Sequence, residues 1–190
     1  MTIINFLRNI IIPIKEINVV LPKNGFIYEV GSGYGSLANA ISNNYPDRKV
    51  IGLDFDQNKI LRANCQVKTK NLQFMHADAL KFEYKECDGV IMSDFLHHID
   101  YKKQVMLLQK IEKKIRKSGL LIIKEIDEND SWRRNMSRIW DLLLYPKDAI
   151  YYRSKNDWTK IVRKLSYDVK IKRTNIFFPG STYLYICRKI

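Results

Sequence analysis

Residues 26–37 read FIYEVGSGYGSL. The apolar run 26–30 predicts a buried β-strand, the glycines at 31, 33 and 35 a sharp turn, and the stretch from Ser36 a helix. Glycine lets the backbone bend and approach a ligand with no Cβ in the way. A helix N-terminus just beyond it directs unpaired N–H groups at that ligand. A dinucleotide turn follows Gly-x-Gly-x-x-Gly/Ala, which needs Gly or Ala at 36, where this chain has Ser36. The pattern here is Glu-x-Gly-x-Gly-x-Gly, with Glu29 on the strand itself. A carboxylate there suits the ammonium of an amino acid better than a pyrophosphate, and so points to S-adenosylmethionine (SAM) rather than NAD. Glu29 also stands on an otherwise apolar strand, where a carboxylate is costly without a partner.

Working outward, strand and helix signals alternate, which argues for an α/β fold: a mostly parallel sheet with helices on both faces. Further strands are predicted over 49–53, 72–76, 88–93 and 120–126. Asp56 is placed to cap a helix reaching about Gln66, and Asp100 to cap another. In the second of these, Val105, Met106, Leu108, Ile111 and Ile115 fit one face, and Ser118-Gly119 ends it. Helical stretches are expected over 132–145 and 158–165. Strands 169–174 and 182–188 would close the sheet as an antiparallel hairpin at its edge. No repeat or linker divides residues 1–190, so a single domain is expected, with a helical segment at 1–22 and a helical cap at 127–165.

The chain of 190 residues has 46% hydrophobic content, enough for a sizeable core. No apolar run is long enough to span a bilayer, and the start lacks the form of a signal peptide. Three scattered cysteines suit a reducing cytoplasm and have no zinc spacing. The formal charge of +13 has two readings: attraction to nucleic acid or an anionic surface, or a solvated lysine-rich exterior. The basic residues are spread along the chain, which favours the second. In the N-terminal segment, Ile3, Ile4, Leu7, Ile10, Ile11 and Ile14 have near-helical spacing, with a break or restart at Pro13. A core-facing helix is favoured; the alternative for residues 1–20 is peripheral contact with a membrane, Arg8 and Lys15 meeting lipid headgroups.

The strand–glycine turn–helix, the acid ending the second strand (Asp54), the acid after the third (Asp78) and the Leu-His-His motif after the fourth (96–98) together resemble the class I SAM-dependent methyltransferases. The likeness spans residues 20–127 and implies a seven-stranded Rossmann-like sheet. It implies that Glu29 and the turn 31–35 (Gly31, Ser32, Gly33, Gly35) hold the methionine moiety. Asp54 would accept hydrogen bonds from the ribose hydroxyls. Phe55 would pack beside the adenine, Asp78 and the Ala79 backbone would meet its amino edge, and Ser93 would lie near the transferred methyl. The spacing ahead of the first strand, the IKEID stretch at 123–127 and the tryptophan-bearing region after it resemble small bacterial methyltransferases of lipid- or polyketide-like metabolites. Taken singly, Asp54 is also a good turn residue and Asp78 a good helix cap.

A methyl donor of this kind needs an acceptor held in line and water kept out. His97 and His98 follow the fourth strand, where an acceptor would arrive, and are candidates for a general base, with Asp94 to orient one of them or the acceptor. The competing reading packs one histidine under the loop and bonds the other to backbone. Lys124 and Glu125, at the end of the fifth strand, face the same region; the competing structural reading is a buried Lys–Glu pair. Asp127, Glu128 and Asp130 are oxygen donors, but the Asp-Asn pair of catechol-type enzymes is missing, so no metal is expected. Trp132, Trp140, Tyr145, Tyr151, Tyr152 and Trp158 would line an apolar pocket or fill the core of the cap. The reading is methyl transfer to a small, apolar acceptor. Its alternatives are an RNA or DNA methyltransferase, against which stands Ser93-Asp94-Phe95-Leu96 in place of Asn/Asp-Pro-Pro-Tyr/Phe, and a SAM-binding partner without catalysis.

Overall fold

Hydrophobic alternation along the strands is satisfied by one sheet with a core on each face. A computed structural model describes residues 12–129, 135, 138–139, 149–174 and 182–190. In chain order the elements are α1 (Ile14–Val20), β1 (Gly25–Val30), α2 (Ser36–Asn43), β2 (Arg48–Asp54), α3 (Gln57–Asn64), β3 (Leu72–His76) and β4 (Cys87–Ser93). They continue as α4 (Tyr101–Glu112), β5 (Ile115–Ile126), α5 (Lys155–Lys164), β6 (Tyr167–Thr174) and β7 (Thr182–Lys189). Residues 1–11, Asp130, and most of the helix expected over 132–145, including Trp132, Trp140 and Tyr145, lie outside the described residues.

The strand order is β3-β2-β1-β4-β5-β7-β6. Strands β1 to β5 pair in parallel, and β7 runs antiparallel to both its neighbours. The expected C-terminal hairpin forms at the sheet edge, with β7 pairing with β5 and β6 outermost. The reason is in the side chains. β7 carries buried Leu184, Tyr185 and Cys187, whereas β6 exposes Asp168, Lys170, Lys172 and Arg173. A lysine-bearing strand belongs at an edge, where its charges discourage further pairing.

Successive residues of a strand face opposite sides, and the two cores divide accordingly. Tyr28, Val30, Leu121 and Ile123 join Leu107, Leu108, Ile111, Trp158 and Val162 on one face. Ile27 and Ile122 join Ile17, Leu37, Ile41 and Ile60 on the other. Trp158 is therefore a core residue. Burial pushes the Cys87 and Cys187 thiols up to about 12, so neither is a reactive thiolate.

Caps fall where the sequence places them. Asp56 accepts from the N–H of Asn58 and Lys59, and Asp100 from that of Lys103. Helix α4 differs from expectation. Its buried face is Gln104, Leu107, Leu108 and Ile111, while Met106 is 52% exposed. The helix ends at Glu112, and Ile115 opens a longer β5 in which Ser118 adopts φ 62°. The predicted stripe counted an apolar residue at 106 and overlooked a glutamine on the core side.

One buried cation, Arg48, is held by neutral oxygens. Arg48, 0% exposed, donates to the Asn18 side chain (2.6 Å) and to the carbonyls of Pro22 (2.8 Å), Ile41 (3.0 Å) and Leu21 (3.4 Å). Its guanidinium stands 4.4 Å from the centre of the Tyr45 ring. Burial pulls its pKa below the ordinary value, with Tyr45 opposing that shift. This side chain fastens the end of α1 to α2 and β2. Arg48→Met leaves those carbonyls buried and unbonded, and is expected to lower unfolding free energy by about 2–3 kcal/mol; urea denaturation measures it, and an unchanged midpoint would refute the assignment.

Candidate functional site

The carboxyl ends of β1, β2 and β4 border a cavity of about 470 Å³. That is where open α/β sheets bind ligands. A larger groove of about 1110 Å³ over β1–β3 faces outward and includes none of the expected site residues. The cavity wall brings together Gly31, Gly33, Asp54, Phe55, Asp78 and Ala79 from the expected donor side, and Asp94 and His98 from the expected acceptor side. Glu29, Ser32, Gly35, Ser93 and His97 are not on the wall.

The glycine turn works differently from the simple cradle. Its N–H groups are largely spent inside the protein: Gly31 and Ser32 donate to the Leu53 carbonyl (both 2.8 Å), and Gly35 donates to Ser32 (2.9 Å). Gly33 donates to Asp54 Oδ2 at 2.7 Å. Two of the three glycines are required by packing. A Cβ on Gly31 would sit 2.5 Å from the Phe95 ring, and one on Gly35 would sit 2.2 Å from the Phe74 ring. Gly33, at φ +55°, has nothing within 4 Å of its Cβ position, which leaves open space above it on the cavity wall.

Asp54 and Asp78 each serve a turn and the wall together. Asp54 Oδ1 accepts from Asp56 N–H (2.9 Å) and Oδ2 from Gly33. A carboxylate offers about four lone-pair positions, so two remain for a ligand. Asp78 Oδ1 accepts from Leu80 N–H at 2.9 Å. Phe55, 74% exposed, stands at the rim, and its carbonyl is 2.9 Å from His76 Nε2.

The expected acceptor side is a turn gripped from below. Lys124 and Glu125, both fully buried, face that turn and do not pair with each other. Successive strand residues face opposite ways, and each finds a partner in the turn after β4. Lys124 Nζ reaches both oxygens of Asp94 (2.7 and 2.6 Å). Glu125 Oε1 accepts from the N–H of Phe95 (3.1 Å) and Leu96 (2.7 Å), and Oε2 lies 2.6 Å from His97 Nδ1. A carboxylate only accepts, so Nδ1 of His97 carries the proton. His97 is thereby locked 1% exposed beneath the turn, beside the Tyr152 ring, while His98 lines the cavity. Ser93 Oγ turns to Asp94 (3.2 Å). Asp94 itself sits at φ 52°, a left-handed conformation that Asp tolerates better than most residues.

Sequence reading missed Lys59, Phe95 and Ile99, which also line the cavity. Lys59 was visible only as a helix residue after Asp56, and Phe95 only as part of the fourth motif. Asp127 Oδ1, weighed as a metal donor, accepts instead from the N–H of Asn129 (3.2 Å) and Lys155 (3.0 Å).

Comparison with known proteins finds relatives of one kind. The family described as Methyltransferase domain matches residues 27–119. A carboxy-S-adenosyl-L-methionine synthase of Helicobacter hepaticus is 30% identical over 102 residues, covering 52% of this chain and 43% of that protein. Acetylserotonin O-methyltransferase 1 of Oryza sativa is 27% identical over 165 residues, 83% of this chain and 43% of that one. The chain thus spans less than half the length of these curated relatives. Among solved structures, magnesium protoporphyrin IX methyltransferase from Synechocystis with bound SAH superposes with a TM-score of 0.74 at 16% identity, over 93% of this chain and 82% of that one.

The two glycines at 33 and 35 separate experimentally. Gly33→Ala meets only the left-handed backbone penalty, about 1–2 kcal/mol. Gly35→Ala adds a collision with Phe74 and is expected to lose about 3–4 kcal/mol. Equal losses in urea denaturation would show that the position over Gly33 is not open.

Proposed function

We propose that the chain is a class I SAM-dependent methyltransferase that transfers a methyl group from SAM to a small-molecule acceptor. The observation that carries this reading is one cavity joining Gly33, Asp54 and Asp78 to Asp94 and His98. The residues fit the cofactor: Gly33 leaves an open surface where any side chain would intrude, and Asp54 keeps acceptor capacity for a vicinal diol. In the proposed binding mode Asp54 takes the ribose hydroxyls, Phe55 covers the adenine, and Asp78 with the Ala79 backbone meets its amino edge. In the same mode Glu29 and the turn 31–35 hold the methionine moiety, and Ser93 lies near the transferred methyl.

Bound SAM supplies an electrophilic methyl on its sulfonium. The chain's own contribution is orientation and exclusion of water, which can supply roughly 7–11 kcal/mol of a barrier. His98 takes the acceptor's proton at Nε2, its Nδ1 being the buried ring nitrogen. Asp94, held on Lys124, orients the acceptor. His97 has no direct part, because Glu125 holds it under the turn.

The acceptor is proposed to be uncharged or cationic and at least partly apolar. Four carboxylates (Asp54, Asp56, Asp78, Asp94) and one lysine, Lys59, face the cavity, a poor setting for a phosphodiester. That observation weighs against the nucleic-acid reading despite the formal charge of +13. The segment 127–165 is proposed as the acceptor-side cap, with the qualification that α5 within it packs on the sheet through Trp158 and Val162.

Two measurements test the proposal. Calorimetry is expected to show SAM binding, weakened about tenfold to a hundredfold in Asp54→Ala, the worth of lost charge-assisted hydrogen bonds; no binding by the wild type would end the cofactor assignment. With an acceptor that supports turnover, His98→Ala is expected to slow the reaction by about 10²-fold. An unchanged rate in that variant would remove the base role.

A further inference from the structure

Gln104 lies on the core side of α4, 0% exposed, where the surrounding positions are apolar. Its carboxamide has a defined set of partners. Nε2 donates to the carbonyls of Leu96, Ile99 and Tyr151, each at 3.0 Å, so its two protons are shared among three acceptors. Oε1 accepts from Arg153 Nε at 2.6 Å. Those partners belong to only two segments: the turn that carries His97 and His98, and the stretch 151–153 that returns toward α5.

The same two segments are also joined directly. Tyr151 N–H donates to the His97 carbonyl (2.8 Å), and the Tyr101 hydroxyl donates to the Tyr152 carbonyl (3.0 Å). Arg153 reaches the Tyr101 carbonyl (2.9 Å), with its guanidinium 4.7 Å from the centre of the Tyr101 ring. On the opposite side Glu125 binds the N–H groups of Phe95 and Leu96. The turn is therefore held by its amides from Glu125 and by its carbonyls from Gln104.

We propose that Gln104 is a positioning residue: its carboxamide fixes the turn 96–99 against the segment 151–153 and so sets the direction in which His98 enters the cavity. The proposal rests on the methyltransferase reading for its purpose, but its geometry is independent of it. An apolar residue would pack in α4 equally well. A buried amide is kept there at a desolvation cost that only a complete set of partners offsets.

Gln104→Glu is the discriminating variant. It retains an acceptor for Arg153 but presents oxygen, in place of N–H, to three carbonyls. The chain has three histidines, so ¹⁵N-histidine spectra of the full chain resolve each ring. In Gln104→Glu the His98 ring resonances are expected to shift, and amide exchange at His98 and Tyr151 to quicken at least about tenfold. Affinity for S-adenosylhomocysteine, the probe of the donor side, is expected to change by less than about threefold. Arg48→Met, a destabilising change remote from the turn, is expected to leave His98 unmoved. An unshifted His98 in Gln104→Glu, or an equal shift in Arg48→Met, would overturn the proposal. Should Gln104→Glu fail to fold, Arg153→Met serves: faster Tyr151 exchange supports the proposal and unchanged exchange refutes it. Absence of S-adenosylhomocysteine binding in the wild type would sink the methyltransferase reading alone, since the histidine spectra still judge Gln104.

Discussion

Two adjacent buried charges on β5, Lys124 and Glu125, govern the shape of everything after β4. A charge left unpaired at such depth costs several kcal/mol, so each must be met, and the strand sends the two in opposite directions. Asp94 comes down to Lys124, which bends the chain into a left-handed residue. The next amides come down to Glu125, which places the Phe95 ring directly over Gly31. The glycine at 31 is thus dictated by a turn some sixty residues later. Donor turn and acceptor turn are one packed unit, and a change at either is felt at the other.

Much of this fold is legible because it depends on local rules. The strand at 26–30, the positive-φ glycines after it and the caps Asp56 and Asp100 follow from periodicity and backbone sterics, which act within a few residues. What escaped depends on partners distant in sequence. Lys124 and Glu125 look like a natural pair until the sheet separates their side chains. Gln104 looks like a surface residue until carbonyls from residues 96, 99 and 151 surround it. The position of β7 is set by a contest between two strands for burial, decided by the lysines of β6. Of the two histidines, no local signal distinguishes the one under Glu125 from the one at the cavity.

The chain is strongly basic, yet its cavity is acidic. Asp54, Asp56 and Asp78 gather there because each also accepts from a backbone N–H, capping a helix or closing a turn at a strand end, and Asp94 is held there by Lys124. Strand ends are where turns occur, and turns favour aspartate. The negative cavity therefore arises from the architecture of the sheet as much as from any ligand. Lys170 and Lys172 are exposed on the β6 edge, whereas Lys59 lines the cavity and Lys124 is buried against Asp94.

The position of β7 bears on how the molecule is built. Among the described residues β6 pairs in the sheet with β7 alone, and β7 joins the other strands through β5. While the first five strands can associate through short crossovers, β6 is synthesised with nowhere to dock and must wait for the strand that follows it. Pairings this distant in sequence close slowly, so β5 stands meanwhile as an open edge beside the half-formed site. The last stage of folding is then a single docking of two strands together, and the buried charges of β5 lose contact with water on that flank only when it occurs.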